Sequence, residues 1–493
     1  MRVRPHHAPD RTLAEVAAFL PGSTVTGEAR IHGLSLSTSA VEPGDLFAAL
    51  PGASTHGARF AAQALGAGAV AVLTDTAGAA LVPDVPRIVV DEPRSRLATL
   101  AADLYDHPSR RFTTLGVTGT QGKTTTTYLA EAALGEDRAA VIGTIGTRIA
   151  GRPASSSLTT PEAPALQALF AVMAEEHVAA CAMEVSSHAI VQGRVDGFVL
   201  DVAVFLNLGR DHLDFHHDLE SYYAAKASLF TPEHARTAVV NVDDAHGRRL
   251  AGETPLPVTT YSTAGAVADW RAINLRAHRL GSDVTLVDPH GNETELAVPL
   301  AGAFNVSNAV AAVVALAGQG FDVAELAAGI GTARGVPGRM ERVDAGQAFT
   351  AVVDYAHKPE AVEAVLSALR PVTAGRLIVV LGAGGDRDRG KRPLMGEVAA
   401  RLADLVIVTD DNPRSEEPRA IRAAVLSGAG SGPADVIEIG DRRDAIAEAV
   451  ARAGLGDTVV VAGKGHERGQ EVAGVVHPFD DREVLLDLLG ERS

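Results

Sequence analysis

Cysteine is almost missing from this chain of 493 residues, which holds one, Cys181. A lone thiol cannot close an internal disulfide, and its place in the apolar stretch 178–185 marks it as a buried, inert group in a protein suited to a reducing compartment. Aromatic residues make up only 4%, and Ala and Gly are abundant, so helices are expected to pack closely through small side chains. No run approaches the roughly 18 apolar residues of a membrane-spanning helix. The first twenty residues carry Asp10, Arg11 and Glu15 where a secretory signal needs an apolar core, so the expectation is a soluble, cytoplasmic protein without a membrane partner. Positive charge is in deficit, 44 Lys and Arg against 61 Asp and Glu for a net charge of −17. That excess argues against nucleic acid as the main partner, and any anionic ligand must be met by local positive charge. Repeats of roughly 20–50 residues are also absent, as are low-complexity tracts apart from a small Gly/Ser/Ala loop around Ser427 to Pro433.

What remains is ordinary globular composition, 46% hydrophobic and 21% charged, in a chain long enough for roughly two to four domains, three being the central expectation. Short β-branched runs ending in Gly or Asp recur at 69–75, 114–119, 376–385, 404–410 and 457–463, each followed by Ala/Leu-rich helical periodicity. Repeated strand-then-helix units mean parallel sheets covered by helices. Two turn signals punctuate the pattern: Asp106-His-Pro-Ser109, and Gly335-Val-Pro-Gly338 after a helical stretch expected from Asn308 to about Thr332. They divide the chain into 1–108, 109–337 and 338–493. The fold class is α/β: a smaller N-terminal α/β domain, a central phosphate-loop domain with a parallel sheet, and a Rossmann-like C-terminal domain.

The strongest local signal is Gly116-Val-Thr-Gly119-Thr120-Gln121-Gly122-Lys123-Thr124-Thr125, lying between an apolar strand and a helical stretch. Glycines let backbone N–H groups close around phosphate oxygens, the helix N-terminus adds positive potential, Lys123 reaches the terminal phosphates, and the Thr124 hydroxyl can ligate Mg²⁺. The strict phosphate-loop spacing would place Gly where the chain has Val117. Downstream, Cys181-Ala-Met-Glu184-Val-Ser186-Ser-His188 ends a strand in a carboxylate; beside a phosphate loop it is a metal-ligand candidate, by itself a solvated loop residue. Asp211-His212-Leu-Asp214 reads either as a polar site or as a helix cap. Lys226, in Tyr222-Tyr-Ala-Ala-Lys-Ala-Ser-Leu-Phe230, reads either as a functional group or as a lysine packing its stem on apolar neighbours.

In the last third, Gly382-Ala-Gly384-Gly385-Asp-Arg387 fails the dinucleotide fingerprint because Arg387 stands where a third glycine is required. The basic residues Arg387, Arg389, Lys391 and Arg392 suit either an anionic substrate or a solvated loop. Two further strands end in Asp411-Asn412-Pro413-Arg414 and Gly463-Lys-Gly-His-Glu467. Arg414 is either aimed into a crevice or solvated beside Glu416 and Glu417. Three strand ends of one parallel sheet are expected to converge where open α/β sheets bind ligands.

Taken in order, Gly119–Thr125, Glu184-Val-Ser-Ser-His188, Asn207 with Asp211-His-Leu-Asp214, Lys226, Asn305-Val-Ser-Asn308, Gly338-Arg339-Met-Glu341, Asp354-Tyr-Ala-His357, Gly385-Asp-Arg-Asp388, Asp411–Arg414 and Gly463–Glu467 resemble the Mur ligases over essentially the whole chain. The resemblance implies an ATP-dependent amide ligase of peptidoglycan precursor synthesis, a monomer that adds meso-diaminopimelate to UDP-N-acetylmuramoyl-L-alanyl-D-glutamate. Other outcomes are a ligase using L-lysine or another amine, and a phosphate-loop ATPase without ligase activity. It further implies that Gly119 to Thr125, Asn305 and Arg339 face ATP, and that Lys123, His212 and Lys226 are catalytic. Thr124, Glu184, His212 and a carbamylated Lys226 would hold Mg²⁺. Thr159, Thr160, Ser186, Gln192 and Arg194 would hold the muramoyl dipeptide. Arg387, Asp411, Asn412, Pro413, Arg414, Gly463 and Glu467 would hold diaminopimelate. His357 is a further polar candidate near the nucleotide, or a structural one. The family's usual Asp-Ser-Arg in the uridine region reads Ser37-Thr38-Ser39 here, which leaves Leu36 and Thr38, with Ala53-Ser54-Thr55, as the uridine-facing candidates. The Thr and Ser usual around Asn207 are Leu206 and Gly209, and the usual Asn of the phosphate loop is Gln121.

Overall fold

The computed structural model describes residues 4–52, 54–154, 158–430 and 432–491; Ala53 lies outside them, as does the side chain of Asp214. The chain forms two compact units. One comprises Met1–Arg271, Val287–Asn292 and Asn308–Gly329, the other Ala272–Leu286, Glu293–Ser307 and Ile330–Ser493.

Besides a two-stranded ribbon of Arg11–Thr12 and Arg30–Ile31, the first unit contains two sheets with separate cores. The N-terminal sheet has the order Thr24–Thr26, Arg87–Val89, Ala71–Thr74, Asp45–Ala48, Gly33–Ser35, parallel except for its first pair. Leu46, Leu73 and Ile88 of these strands bury completely against Leu97, Leu100 and Leu104 of helix Pro93–Leu104. The second sheet has a parallel centre in the order Ala139–Gly143, Ala180–Glu184, Thr113–Thr118, Leu200–Phe205, Ala235–Asn241, Val258–Ser262. Its strands are apolar on both faces because helices cover both, as in doubly wound folds. Cys181 is 1% exposed there, and burial pushes its thiol pKa far up, in keeping with an inert group. Glu162 joins the two parts of this unit: it pairs with Arg94 of the N-terminal helix at 2.9 Å and with Arg194 at 3.1 Å.

In the second unit the sheet order is Glu341–Val343, Thr350–Asp354, Thr458–Ala462, Leu377–Leu381, Leu405–Val408, Asp435–Glu438, with only the first strand antiparallel. Successive side chains of one strand enter opposite cores: Val379 and Leu381 pack with Met395 and Val425, Ile378 and Val380 with Ile446 and Leu485. This is the period-two alternation of a strand covered on both faces.

One expectation is corrected. The helical stretch read as running from Asn308 to about Thr332 is two helices, Ala303–Ala317 and Val323–Gly331. The break falls at Gly318-Gln-Gly320, where Gly320 takes φ +90°, the left-handed conformation that ends a helix at little steric cost. The expected strands all form, and among the described residues no helix is long and apolar enough to cross a membrane.

Candidate active site

Strand Thr113–Thr118 lies between Ala180–Glu184 and Leu200–Phe205, with Val117 opposite both Glu184 and Val204. Because all three run parallel, the loops that follow them emerge at the same edge, and the phosphate loop, Glu184 and Asn207 become neighbours. The loop enters helix Lys123–Leu134 through Gly122 at φ +89°. A Cβ there would stand 2.3 Å from Asn308 Oδ1. Gly122→Ala is therefore expected to lower stability by about 1–3 kcal/mol and to raise KM for ATP; thermal melting and initial-rate kinetics check both.

The loop is fastened by a residue the sequence offered only as part of a motif. Asn207 Oδ1 accepts the backbone N–H of Thr120 at 3.1 Å and of Gln121 at 3.0 Å, while its Nδ2 donates to the Gln121 carbonyl at 3.1 Å. Lys123 Nζ donates to the carbonyls of Gly119 and Thr120 at 2.8 and 3.2 Å. Thr125 is buried in the first helical turn. Thr124 Oγ1 donates to Glu184 Oε1 at 2.9 Å, and Thr144 adds its N–H and hydroxyl to the same carboxylate at 2.8 and 3.1 Å. Glu184 is 1% exposed, so the solvated-loop reading is overturned. A hydroxyl beside a buried carboxylate suits a hard divalent cation that keeps most of its ligands from water and phosphate. Among the described residues no three His, Cys, Asp or Glu side chains cluster at metal-binding distance.

Lys226 sits on helix Leu219–Ala227, 1% exposed, and donates to the Gly119 carbonyl at 3.0 Å and to Thr118 Oγ1 at 3.4 Å. Its ammonium lies 4.6 Å from the centre of the Tyr222 ring. Burial, and after it the charge of Lys123, hold its pKa well below the lysine value, against the opposing charge of Asp211. The alternative of a lysine merely packing its stem does not fit an ammonium at the phosphate loop. His212, at φ +51°, occupies the N-cap position of the short helix Leu213–His216 but makes no side-chain cap hydrogen bond there. Its ring stands 4.9 Å from His188 and 6.1 Å from Tyr222, so Tyr222 touches both His212 and Lys226. Asp211 lies 3.4 Å from His212.

The dipeptide candidates gather next to Glu184. Thr159 and Thr144 share a hydrogen bond of 3.1 Å, Thr160 Oγ1 donates to the Glu184 carbonyl at 2.8 Å and accepts the Ser186 N–H at 3.2 Å, and Arg194 donates to the Thr160 carbonyl at 2.8 Å and to Gln192 at 2.6 Å. Leu36 and Thr38 follow strand Gly33–Ser35, and Ser54 and Thr55 follow its parallel neighbour Asp45–Ala48, so these two loops leave one edge of the N-terminal sheet.

The second unit carries the rest. Asn305 is 2% exposed and donates to the Ala301 carbonyl at 2.8 Å; Arg339 lies 4.3 Å above the Tyr355 ring. His357 holds the Tyr355 carbonyl through Nδ1 at 2.8 Å, and burial lowers its pKa to about 4, so it is a neutral structural donor at neutral pH. The neighbouring strands Thr458–Ala462, Leu377–Leu381 and Leu405–Val408 bring their three polar ends together as expected. Asn412 Nδ2 donates to Glu467 at 2.8 Å, and Pro413 is buried behind it. Gly463, at φ +119°, lets Asp411 approach: a Cβ would stand 2.8 Å from its Oδ2.

One alternative falls here and another holds only in part. Arg414 is not a solvated partner of Glu416; Nη1 donates to the Gly385 carbonyl at 2.7 Å and Nε lies 3.4 Å from Glu471. Glu416 is taken by Arg392 and Arg389 at 2.8 and 3.2 Å, which hold its pKa down to about 2. The basic loop is thus not uniformly solvated, since Arg392 is buried and Lys391 donates to the His357 carbonyl at 2.8 Å. Arg387 is exposed.

A glycine-rich loop between a strand and a helix, beside a buried hydroxyl–carboxylate pair, defines a phosphate-loop nucleotide-binding protein of the α/β class. Comparison with known proteins places it more narrowly. The family model for the Mur ligase family catalytic domain matches residues 30–105, that for the Mur ligase middle domain residues 117–316, and that for the Mur ligase glutamate ligase domain residues 338–465. The chain belongs to the Mur ligase family. It is 54% identical to UDP-N-acetylmuramoyl-L-alanyl-D-glutamate–2,6-diaminopimelate ligase of Streptomyces coelicolor, over 99% of this chain and 98% of that one. With the Corynebacterium glutamicum protein of the same name it shares 50% identity over 98% and 96% of the two chains. A solved structure of a ligase of that name is 36% identical, with a TM-score of 0.67 and 94% and 95% of the chains covered.

Proposed function

We propose that this chain is the ADP-forming ligase that joins meso-diaminopimelate to UDP-N-acetylmuramoyl-L-alanyl-D-glutamate in peptidoglycan precursor synthesis. The observation that carries the reading is the Thr124–Glu184 pair at 2.9 Å beneath the phosphate loop. Domain boundaries near 108 and 337, a monomer and a cytoplasmic setting belong to the same reading.

The reaction must bring a carboxylate to a triphosphate. The D-glutamyl γ-carboxylate attacks the γ-phosphorus, the bond to ADP breaks, and an acyl phosphate forms; the diaminopimelate amine then attacks the acyl carbon and inorganic phosphate leaves as the amide forms. Both steps gather negative charge, so positioning and electrostatic neutralisation dominate. Lys123 supplies a cation at the phosphate loop, and Asn207 keeps the loop's N–H groups in register. Thr124 and Glu184 would hold Mg²⁺, and His212 with a carbamylated Lys226 would hold a second; the ions would supply neutralisation of phosphate charge. Thr159, Thr160, Ser186, Gln192 and Arg194 hold the muramoyl dipeptide, and Leu36, Thr38, Ser54 and Thr55 face its uridine end. Asn305 and Arg339 serve the nucleotide. In the second unit Arg387, Asp411, Asn412, Pro413, Arg414, Gly463 and Glu467 receive the amino acid.

Selection of diaminopimelate over lysine rests on Arg414. The two differ by one distal carboxylate, which a guanidinium can meet with two parallel hydrogen bonds. Arg414 is prepositioned by Gly385 and Glu471. Arg414→Ala is expected to lower kcat/KM for diaminopimelate about a hundredfold, on the order of 2.7 kcal/mol, with KM for ATP barely changed. The reading itself is tested by amino-acid-dependent phosphate release from ATP and the muramoyl dipeptide, with the product weighed by mass spectrometry. Equal use of L-lysine would move the substrate assignment, and phosphate release without any amino acid would replace the ligase by an ATPase.

A further inference from the structure

Lys464 has no part in the reaction as described, yet its side chain is completely buried. An ammonium withdrawn from water is retained only where close partners repay its desolvation. Its Nζ donates to Asn412 Oδ1 at 3.0 Å and lies 3.6 Å from Asp411 Oδ1 and 3.5 Å from Glu467 Oε2. The other buried cation nearby, Arg442, is already taken by Asp481 at 2.7 and 2.8 Å and by the Ala462 carbonyl at 3.0 Å.

The consequence falls on Asn412. Its Oδ1 accepts two donors, Lys464 Nζ and the backbone N–H of Glu471, each at 3.0 Å. Rotating the amide by half a turn would set its NH₂ group against both, so the orientation is determined and the nitrogen must face Glu467, to which it donates at 2.8 Å. One N–H of that nitrogen remains for a ligand. Glu467 keeps a third of its side chain exposed and offers an acceptor.

We propose that Lys464 is a positioning residue for the incoming amino acid: it locks the Asn412 amide so that Asn412 and Glu467 present one donor and one acceptor to the carboxylate and ammonium of an α-amino acid. This rests on the amino-acid site assigned above. Steady-state kinetics on the full-length enzyme test it, with Lys464→Met, Lys464→Gln and Asn412→Ala made singly and combined. Lys464→Met should raise KM for diaminopimelate about tenfold or more and leave KM for ATP and for the muramoyl dipeptide within about twofold. Lys464→Gln, which restores an N–H donor without charge, should recover part of that loss. In the Asn412→Ala background Lys464→Met should add less than about twofold, because the group it positions is gone. Additive effects, or three KM values rising together with a fall in melting temperature, would overturn the proposal. Should the Met variant not fold, the Gln variant alone and combined carries the same comparison; loss of fold in both assigns Lys464 to structure. If the wild type does not use diaminopimelate, the substrate reading fails by itself, and the same variants assayed with the amino acid it does use decide the role of Lys464.

Discussion

Lys123→Ala is expected to cut phosphate release about 10³-fold while shifting the melting temperature by no more than a few degrees. Removing one preorganised donor from a site of developing charge costs about 10²–10³ in turnover, and Lys123 is moreover a full cation at the phosphate loop. Its structural contribution is small by comparison: the ammonium donates to the carbonyls of Gly119 and Thr120, while the loop is independently held by Asn207 through three hydrogen bonds. The helix that follows, Lys123–Leu134, is entered through Gly122 and has no side-chain cap hydrogen bond at that residue. Single-turnover detection of the acyl phosphate and a thermal melt separate the two roles. A variant that loses its circular dichroism signal would show that the lysine holds the loop together, and turnover within tenfold of wild type would remove it from phosphoryl transfer.

Lys226→Ala is expected to have an effect of similar size, about 10³-fold, but a reversible one. An exposed lysine amine is almost wholly protonated at neutral pH and cannot take up CO₂. Lys226 is 1% exposed, with its ammonium over the Tyr222 ring and against the Gly119 carbonyl, so the neutral amine that carbamylation requires is favoured by burial. In the alanine variant the vacated space beside the loop can admit a short carboxylic acid carrying the same anionic oxygens as a carbamate. Added acetate or propionate should therefore restore part of the activity of Lys226→Ala and none of that of Lys123→Ala. Full activity in the alanine variant would sink the idea. A loss that no carboxylate repairs would leave Lys226 as a cation that steadies Gly119.

The local signals were those in which one short segment contains its own physical reason. A glycine-rich turn between an apolar strand and a helix is a phosphate loop because backbone N–H groups and a helix N-terminus lie within ten residues of each other, and Gly119 to Thr125 could be read on that ground alone. Strand positions at 71–74, 113–118, 377–381, 405–408 and 458–462 were legible for a similar reason: β-branched runs fully buried on both faces have no other arrangement. Sequence reading was weaker where two structures satisfy the same local pattern. The helical periodicity read from 308 to about 332 passes through Gly318 and Gly320, and the break there was decided by the left-handed backbone that Gly320 takes in the fold.

Only the tertiary structure decided the partners of polar side chains, because a carboxylate or ammonium is judged by its neighbours in space. Glu184 became a buried partner of Thr124 through the register that sets Val117 opposite it. Glu416 stands two residues from Arg414 in the chain yet pairs with Arg392, while Arg414 reaches Glu471. Asn207 and Lys464 stood in the sequence only as members of motifs, without a role, for the same reason. Their chemistry resides in hydrogen bonds to segments 86 and 52 residues away along the chain, and no local pattern records a contact that the fold alone creates.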